Sequence, residues 1–124
     1  MRILITGTSG FIGFHLSKRF LKNKKYQVLG LDSINNYYSR KIKKLRLNLL
    51  KKYKNFKFEK INILNKKKVE SSFKKFKPSV VFHIAGQPGV LYSFKNPASY
   101  ETNNTNVTKL ISSISKKYKV ERFI

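Results

Sequence analysis

The sequence contains no cysteine among its 124 residues. A disulfide framework, a cysteine-ligated zinc site and a thiol nucleophile are therefore excluded. It also contains no long hydrophobic run: the N-terminal MRILITG is not a signal-peptide h-region, and the other apolar stretches are too short to span a bilayer. We therefore expect a cytoplasmic protein with no membrane partner.

Acidic residues are scarce. Five of them stand against 28 lysines and arginines, which gives a net charge of +23. Such an excess attracts polyanions. However, 23 of the 28 cations are lysine, whereas arginine is better suited to bidentate recognition of phosphates and bases. The lysines are also spread over every predicted helix and loop. We interpret them as solvated surface and expect no specific nucleic-acid partner, with a basic binding module as the alternative.

The apolar residues predict one α/β domain spanning residues 1–124. Short apolar runs alternate with stretches of helical spacing, an order that implies right-handed crossovers and a Rossmann-type, doubly wound parallel sheet. The predicted strands are residues 2–6, 26–32, 56–63 and 78–85, and a fifth begins in the final VERFI. The predicted helices are residues 10–23, 40–53, a third around 69–76, and 97–118. On this interpretation the sheet is truncated at the start of its fifth strand.

Three of the six glycines, at positions 7, 10 and 13, lie in the turn after the first strand and at the start of the first helix. In a doubly wound sheet, Gly7 would permit the tight turn and Gly10 the approach of a pyrophosphate to the backbone. Gly13 would permit close packing of the helix on the strand. The helix N-terminus adds free N–H groups and partial positive charge for the phosphates. In this context, GxxGxxG predicts a dinucleotide-binding turn.

Asp32 ends the second predicted strand, 19 residues after Gly13, and is the only aspartate in the chain. A dinucleotide-binding unit needs an acid at this point to accept hydrogen bonds from the adenosine ribose hydroxyls. The carboxylate would repel a 2′-phosphate, which favours NAD over NADP. The alternative is a structural Asx-turn at the end of the strand.

We predict no catalytic or metal-binding residue. His83 lies within a buried strand, which favours a hydrogen-bonded core histidine, and His15 is assigned to packing or surface. The two histidines and five acids lack metal-ligand spacing. Two Tyr-x-x-x-Lys matches, at Tyr37 and Tyr53, are expected by chance in so lysine-rich a chain and precede the fourth strand.

Several segments resemble the extended short-chain dehydrogenase/reductases, specifically the sugar-nucleotide epimerases and dehydratases. TGTSGFIG matches the TGxxGFIG fingerprint of that family. VLGLDSINNYYS, HIAGQPGVLYS and NPASYETNNTNVTKLI are similar to its second strand and loop, the motif after its fourth strand, and the following helix. The resemblance covers essentially the whole chain. INNYYSRKIKKLRL and GQPGVLYS most resemble the UDP-glucuronate 4-epimerase subgroup.

The resemblance implies a set of NAD contacts. The pyrophosphate would meet Gly7, Gly10, Phe11, Ile12 and Gly13, and the ribose and adenine side would meet Asp32 and Asn35. Further contacts would fall at Asn62 and Ile63 for the adenine, at Ala85, Gly86 and Gln87 beside the nicotinamide half, and at Asn104. Two positions depart from the family pattern: Asn62 replaces the usual aspartate, and Leu91 replaces the arginine of the most similar subgroup.

The resemblance also implies an activity, NAD-dependent epimerisation of a nucleotide sugar. A tyrosinate would take the proton of the C4 hydroxyl, NAD would take the C4 hydride, and the hydride would return to the other face. In the family the catalytic Ser/Thr and Tyr-x-x-x-Lys follow the fifth strand, so we expect this chain to be a fragment that is inactive alone. The longer protein is expected to be a homodimer that binds a UDP-sugar. The alternative is a dehydratase or reductase of the same family.

Overall fold

The computed structural model describes residues 1–124 and contains one five-stranded parallel sheet. The strands are β1 (Arg2–Thr6), β2 (Gln27–Asp32), β3 (Phe56–Lys60), β4 (Val80–His83) and β5 (Arg122–Phe123). Their order across the sheet is β3-β2-β1-β4-β5. The order reverses beside β1, as in a doubly wound Rossmann-type sheet. The fold class predicted from the sequence is confirmed.

Six α-helices connect or follow the strands. They are α1 (Phe11–Leu21), α2 (Arg40–Leu50), α3 (Lys66–Phe76), α4 (Val90–Lys95), α5 (Pro97–Tyr100) and α6 (Val107–Lys117). A π-helical segment, Glu101–Asn106, joins α5 to α6. Every helix is too short or too polar to cross a bilayer.

The core has two layers, one on each face of the sheet, because successive side chains of a strand point to opposite faces. Leu4 of β1 packs with residues of α3 and α6, including Phe73 and Ile111. Its neighbours Ile3 and Ile5 belong to the opposite cluster, which includes residues of α1 and α2. The continuous apolar runs of the central strands follow from this two-sided burial.

The element boundaries differ from prediction mainly after β4. Helix α4 lies between the predicted strand that ends at residue 85 and the predicted helix that begins at residue 97, where no helix was predicted. It is six residues long and follows Gly89, whose φ is +103°. The predicted single helix of residues 97–118 contains the π-helical segment. Its Asn103 and Asn104 side chains bond to Ser99 and to the backbone of Gln87, and helical spacing alone does not report such bonds.

The two-layer core generates a prediction about stability. Phe73 has no solvent-exposed surface and lies in the cluster beneath α3 and α6. Replacing it by alanine leaves a cavity, so we expect Phe73→Ala to lower the free energy of unfolding by about 3–5 kcal/mol in urea titrations. Phe94→Ala is the matched control, since Phe94 is 79% exposed. Equal losses in the two variants would contradict this packing.

Candidate functional site

A cavity of about 770 Å³ lies where the carboxyl ends of β1, β2 and β4 meet the loops that follow them. This is the position at which doubly wound sheets bind ligands. The structure brings every cofactor-binding residue predicted from the sequence to its wall. These residues are Gly7, Gly10, Phe11, Ile12, Gly13, Asp32, Asn35, Asn62, Ile63, Ala85, Gly86, Gln87 and Asn104.

The turn after β1 requires two of its glycines for different reasons. Gly7 has φ of +70°, and a Cβ there would lie 2.8 Å from the Ala85 amide nitrogen. A Cβ at Gly13 would lie 2.2 Å from the Gly7 carbonyl oxygen. Real Cβ atoms do not approach so closely, so the first turn of α1 can pack on the turn after β1 only if Gly13 carries no side chain.

The first turn of α1 carries amides without an acceptor in the chain. The amides of Phe11, Ile12 and Gly13 make no intramolecular hydrogen bond, and the first amide that does is that of Phe14, to the Gly10 carbonyl oxygen. No acidic side chain lies in that turn and no side chain caps it. Free amides at a helix N-terminus form an anion-binding site.

Asp32 faces this turn from the end of β2. One carboxylate oxygen accepts the Ser9 amide at 2.9 Å and the other accepts the Ile34 amide at 2.8 Å. The second contact is the predicted Asx-turn, yet the residue also lines the cavity. Since a carboxylate has about four lone-pair positions, Asp32 keeps acceptors for a hydroxyl pair. The structural and binding interpretations are therefore compatible.

The Asn62 side chain is partly committed to its own loop. Its Oδ1 accepts the Leu64 amide at 3.1 Å, so one of the two acceptor positions of this oxygen is already in use. Asn35 bonds to the Lys43 ammonium through its backbone oxygen at 3.2 Å and its side-chain oxygen. Both asparagines thus shape the cavity rim as well as lining it.

Asn104 holds the loop after β4 in place. Its Oδ1 accepts the Gln87 amide at 2.7 Å, and its Nδ2 donates to the Gln87 carbonyl oxygen at 3.2 Å. A Cβ at Gly86 would lie 3.2 Å from the same Oδ1. This pairing uses one donor and one acceptor of Asn104, so the residue positions the loop as well as lining the cavity.

His83 meets only part of the expectation for a hydrogen-bonded core histidine. Its Nδ1 lies 2.8 Å from the Thr6 hydroxyl oxygen, which also accepts the Ala85 amide at 3.1 Å. Its Nε2 is buried without a partner, and the residue lines the cavity. Burial lowers the pKa of the imidazole.

The cavity residues that sequence reasoning missed include Tyr37 and Tyr38 on the loop after β2 and Arg46 on α2. Tyr37 donates to the Pro88 carbonyl oxygen across the cavity mouth. Tyr38 accepts a hydrogen bond from the Arg46 guanidinium at 3.1 Å, and burial raises its pKa while Arg46 opposes the shift. The helical pattern of α2 places Arg46 among solvated cations. The one signal in the sequence for these residues was the resemblance of INNYYSRKIKKLRL to the epimerase subgroup, and it assigned a role to none of them.

A glycine turn, a helix with unpaired N-terminal amides and an acid at the end of the next strand define a dinucleotide-binding domain. The family model described as the NAD dependent epimerase/dehydratase family matches residues 3–124. The chain therefore belongs to that family, which is NAD-dependent, and the resemblance noted in the sequence is confirmed.

The relatives include two curated proteins and a solved structure. Protein CapI of Staphylococcus aureus is 41% identical over 124 residues, which are 100% of this chain and 36% of CapI. A UDP-glucuronate 4-epimerase of Thermodesulfobacterium geofontis is 37% identical over 121 residues, 98% of this chain and 37% of the relative. The structure of the Bacillus cereus UDP-glucuronic acid 4-epimerase, solved with UDP-glucuronic acid and NAD, is similar with a TM-score of 0.91 and a sequence identity of 35%. The match covers 99% of this chain and 38% of the Bacillus cereus chain.

The environment of His83 predicts a pH-dependent stability. Burial lowers the pKa of the folded imidazole, whereas an unfolded histidine titrates near about 6.5. Below that pH the unfolded state binds more protons, so the stability contribution is complete above about pH 6.5 and falls on acidification. We expect the free energy of unfolding, measured in urea titrations, to fall less between about pH 7.5 and about pH 5.5 in His83→Gln than in the wild type. His15→Gln, at an exposed position of α1, should keep the wild-type difference; a wild-type difference in His83→Gln would contradict the assignment.

Proposed function

We propose that this chain binds NAD in the cavity and forms the cofactor-binding part of a nucleotide-sugar epimerase. The observation that carries the proposal is the arrangement of three acceptor-free amides on α1 opposite a buried carboxylate. The amides suit a pyrophosphate, and the carboxylate suits a ribose diol. The backbone between the amides and the carboxylate is rich in glycine, which leaves room for a ligand to contact the main chain.

The residues would divide the cofactor among four parts of the cavity. The turn and first turn of α1, from Gly7 to Gly13, would hold the pyrophosphate. Asp32 and Asn35 would hold the adenosine ribose, and Asn62 and Ile63 the adenine. Ala85, Gly86, Gln87 and Asn104 would lie beside the nicotinamide half, where the Asn104 pairing fixes the Gln87 backbone.

We propose UDP-glucuronate as the substrate and epimerisation at C4 as the reaction. A curated relative and a solved structure are both named as 4-epimerases of this sugar nucleotide. Bound NAD supplies the hydride acceptor that oxidation of a sugar carbon requires. The residues of this chain would hold the cofactor and orient its nicotinamide half. A homodimer that binds a UDP-sugar is the proposed full assembly. A dehydratase is the second candidate, because the matching family is named for both reactions.

Binding of the reduced cofactor tests the site directly. Gly10 has ordinary backbone angles, but a Cβ there would lie 3.1 Å from the Gly7 carbonyl oxygen, a tight contact, and a larger side chain would enter the space above the turn. We expect the 124-residue chain to enhance NADH fluorescence and Gly10→Val to weaken binding by about tenfold or more, a loss of about 1.4 kcal/mol. Phe94→Ala should bind as the wild type does. The proposal fails if the wild type, folded by circular dichroism, does not bind NADH.

The NADH titration, repeated at two salt concentrations, distinguishes a cofactor-binding domain from the alternative, a basic binding module. Cofactor binding through amides and one carboxylate should change little between low and high salt. A module that uses the lysines should instead bind an unrelated DNA duplex with a steep salt dependence. Duplex binding without NADH binding would favour the module.

A second prediction concerns turnover. The cavity wall offers no Tyr-x-x-x-Lys pair, because Tyr37 lines it and Lys41 does not, and the Tyr37 hydroxyl already donates to the Pro88 carbonyl oxygen. We expect the 124-residue chain to bind NADH but not to convert UDP-glucuronate. Chromatography of the sugar nucleotides after incubation measures the conversion. Conversion by the pure chain would contradict this assignment and place the proton-transfer groups among these residues.

A further inference from the structure

The outer face of α2 exposes an apolar stripe. Ile42, Leu45 and Leu49 are 45%, 55% and 46% exposed, and their spacing of three and four residues makes them neighbours on the helix surface. The core side of the same helix is formed by other residues, among them Leu47 and Leu50. The stripe therefore faces solvent, and a continuous exposed apolar face of this kind marks an interaction surface.

A smaller cavity, of about 270 Å³, continues the stripe from Leu49 toward α1. It is lined by Phe14, Lys18, Leu49, Leu50, Lys52 and Tyr53. Both lysines are exposed, and the Lys18 ammonium lies 5.9 Å from the centroid of the Phe14 ring. An apolar space with two ammonium groups beside it suits a molecule that has an apolar part and an anionic group.

In the loops, lysines occur at one end of the domain only. The sequence led us to expect them in every loop, and the structure corrects this. The loops at the carboxyl ends of the strands, where the larger cavity lies, are residues 7–10, 33–39, 61–65 and 84–89, and they contain no lysine. The loops at the opposite end contain eight exposed lysines: Lys22, Lys24, Lys25, Lys51, Lys52, Lys54, Lys77 and Lys119. The ion pair of the structure, Lys117 with Glu70, includes none of the eight.

Six of these lysines form one patch at the end of α2. The Asn55 side chain joins the loop after α2 to the loop after α1, since its Nδ2 donates to the Tyr26 carbonyl oxygen at 2.8 Å. Each of the two loops carries three lysines. A helix dipole favours cations in the last turn of a helix, but Lys24, Lys25 and Lys54 lie beyond the last turns of α1 and α2. Compensation of the helix dipoles therefore does not account for the patch.

We infer that the α2 surface binds membranes that contain anionic lipids. This surface consists of the Ile42, Leu45 and Leu49 stripe, the smaller cavity, and the six lysines of the loops after α1 and α2. An apolar helix face beside lysines is typical of proteins that lie on a membrane surface. The lysines attract the headgroups, and the apolar side chains enter the headgroup layer. Such a contact needs no membrane-spanning helix. It departs from the expectation of no membrane partner, which rested on the short apolar runs of the sequence, and it is independent of the proposed cofactor.

Two other occupants fit this surface less well. Helices α1 and α2 and the loops that follow them contain no acidic residue. A second copy of the chain, packed on the same patch by two-fold symmetry, would therefore bring lysines together without carboxylates to balance them. A nucleic acid would attract the lysines but offers no apolar group to three aliphatic side chains, because bases stack on aromatic ones. An anionic lipid surface matches both the charge and the apolar stripe.

The test is sedimentation of the 124-residue chain with vesicles, made either of phosphatidylcholine alone or of equal parts of phosphatidylcholine and phosphatidylglycerol. We expect binding to the anionic vesicles that weakens as salt is raised. Leu45→Ser should weaken this binding by about threefold or more. Leu91→Ser is the matched control, because Leu91 is 80% exposed but lies on α4, and it should bind as the wild type does.

A second pair of variants tests the charge. Lys18→Gln combined with Lys52→Gln removes the two cations of the smaller cavity and should weaken binding to anionic vesicles by about tenfold. Lys66→Gln combined with Lys67→Gln removes the same charge at the start of α3, a helix that packs on the opposite face of the sheet. This control should weaken binding by less than about threefold. Circular dichroism of each variant verifies folding.

Four results would overturn the inference. The first is a folded chain that sediments with neither kind of vesicle, or equally with both. The second is an equal loss in each variant and its control, since position would then not matter. The third is tighter binding to an unrelated DNA duplex at the same salt that Leu45→Ser leaves unchanged, which would assign the lysines to a general polyanion site. The fourth is a dimer in analytical ultracentrifugation that Leu45→Ser abolishes, which would assign the stripe to a second copy. None of these results depends on whether the chain binds NADH.

Discussion

The structure depends on a close approach of backbone to backbone at the start of α1. The Gly7 carbonyl oxygen occupies the space into which a Cβ of residue 13 would project, and a Cβ of residue 7 would in turn meet the Ala85 amide nitrogen. These contacts fix α1 against the ends of β1 and β4 at once. The acceptor-free amides of α1 consequently lie on the same cavity wall as the strand ends. One steric requirement thus determines both how the helix packs and where an anion can bind.

The charged side chains behind the net charge of +23 lie in very different environments. Asp32 and Lys43 are the two charged side chains that are buried. They are stabilised by hydrogen bonds to uncharged groups, the Ser9 and Ile34 amides for Asp32 and the Asn35 oxygens for Lys43. Burial nevertheless lowers the pKa of the Lys43 ammonium, against the opposing effect of Asp32. The exposed lysines, by contrast, have few carboxylates to pair with and contribute little through ion pairs. Position therefore determines which charges matter for a ligand.

Sequence reasoning located the glycine turn and Asp32 because each has a local signature: glycine spacing, a strand before it, a helix after it and an acid at a set distance. It placed the central strands for a similar reason, since continuous apolar runs mark strands buried on both faces. The segment after β4 resembles the family motif in HIAGQPGVLYS, but no local spacing in it predicts its geometry. Its geometry comes from contacts between distant residues, such as the pairing of Asn104 with Gln87 and the bond from Tyr37 to Pro88. Arg46 was missed for the same reason, because only the folded chain brings it beside Ser9.

The site's requirements also explain how a chain so rich in lysine and asparagine can retain it. The anion-binding groups belong to the main chain, so they are insensitive to side-chain composition as long as positions 7 and 13 carry no Cβ. Where a side chain is needed, asparagine can often serve: Asn35, Asn62 and Asn104 all line the cavity and all make hydrogen bonds. A hydroxyl pair on a ligand, however, needs an acceptor that is already oriented and charged, and an amide offers one oxygen in place of two. Under the proposed function, this is the reason for an aspartate rather than an asparagine at position 32.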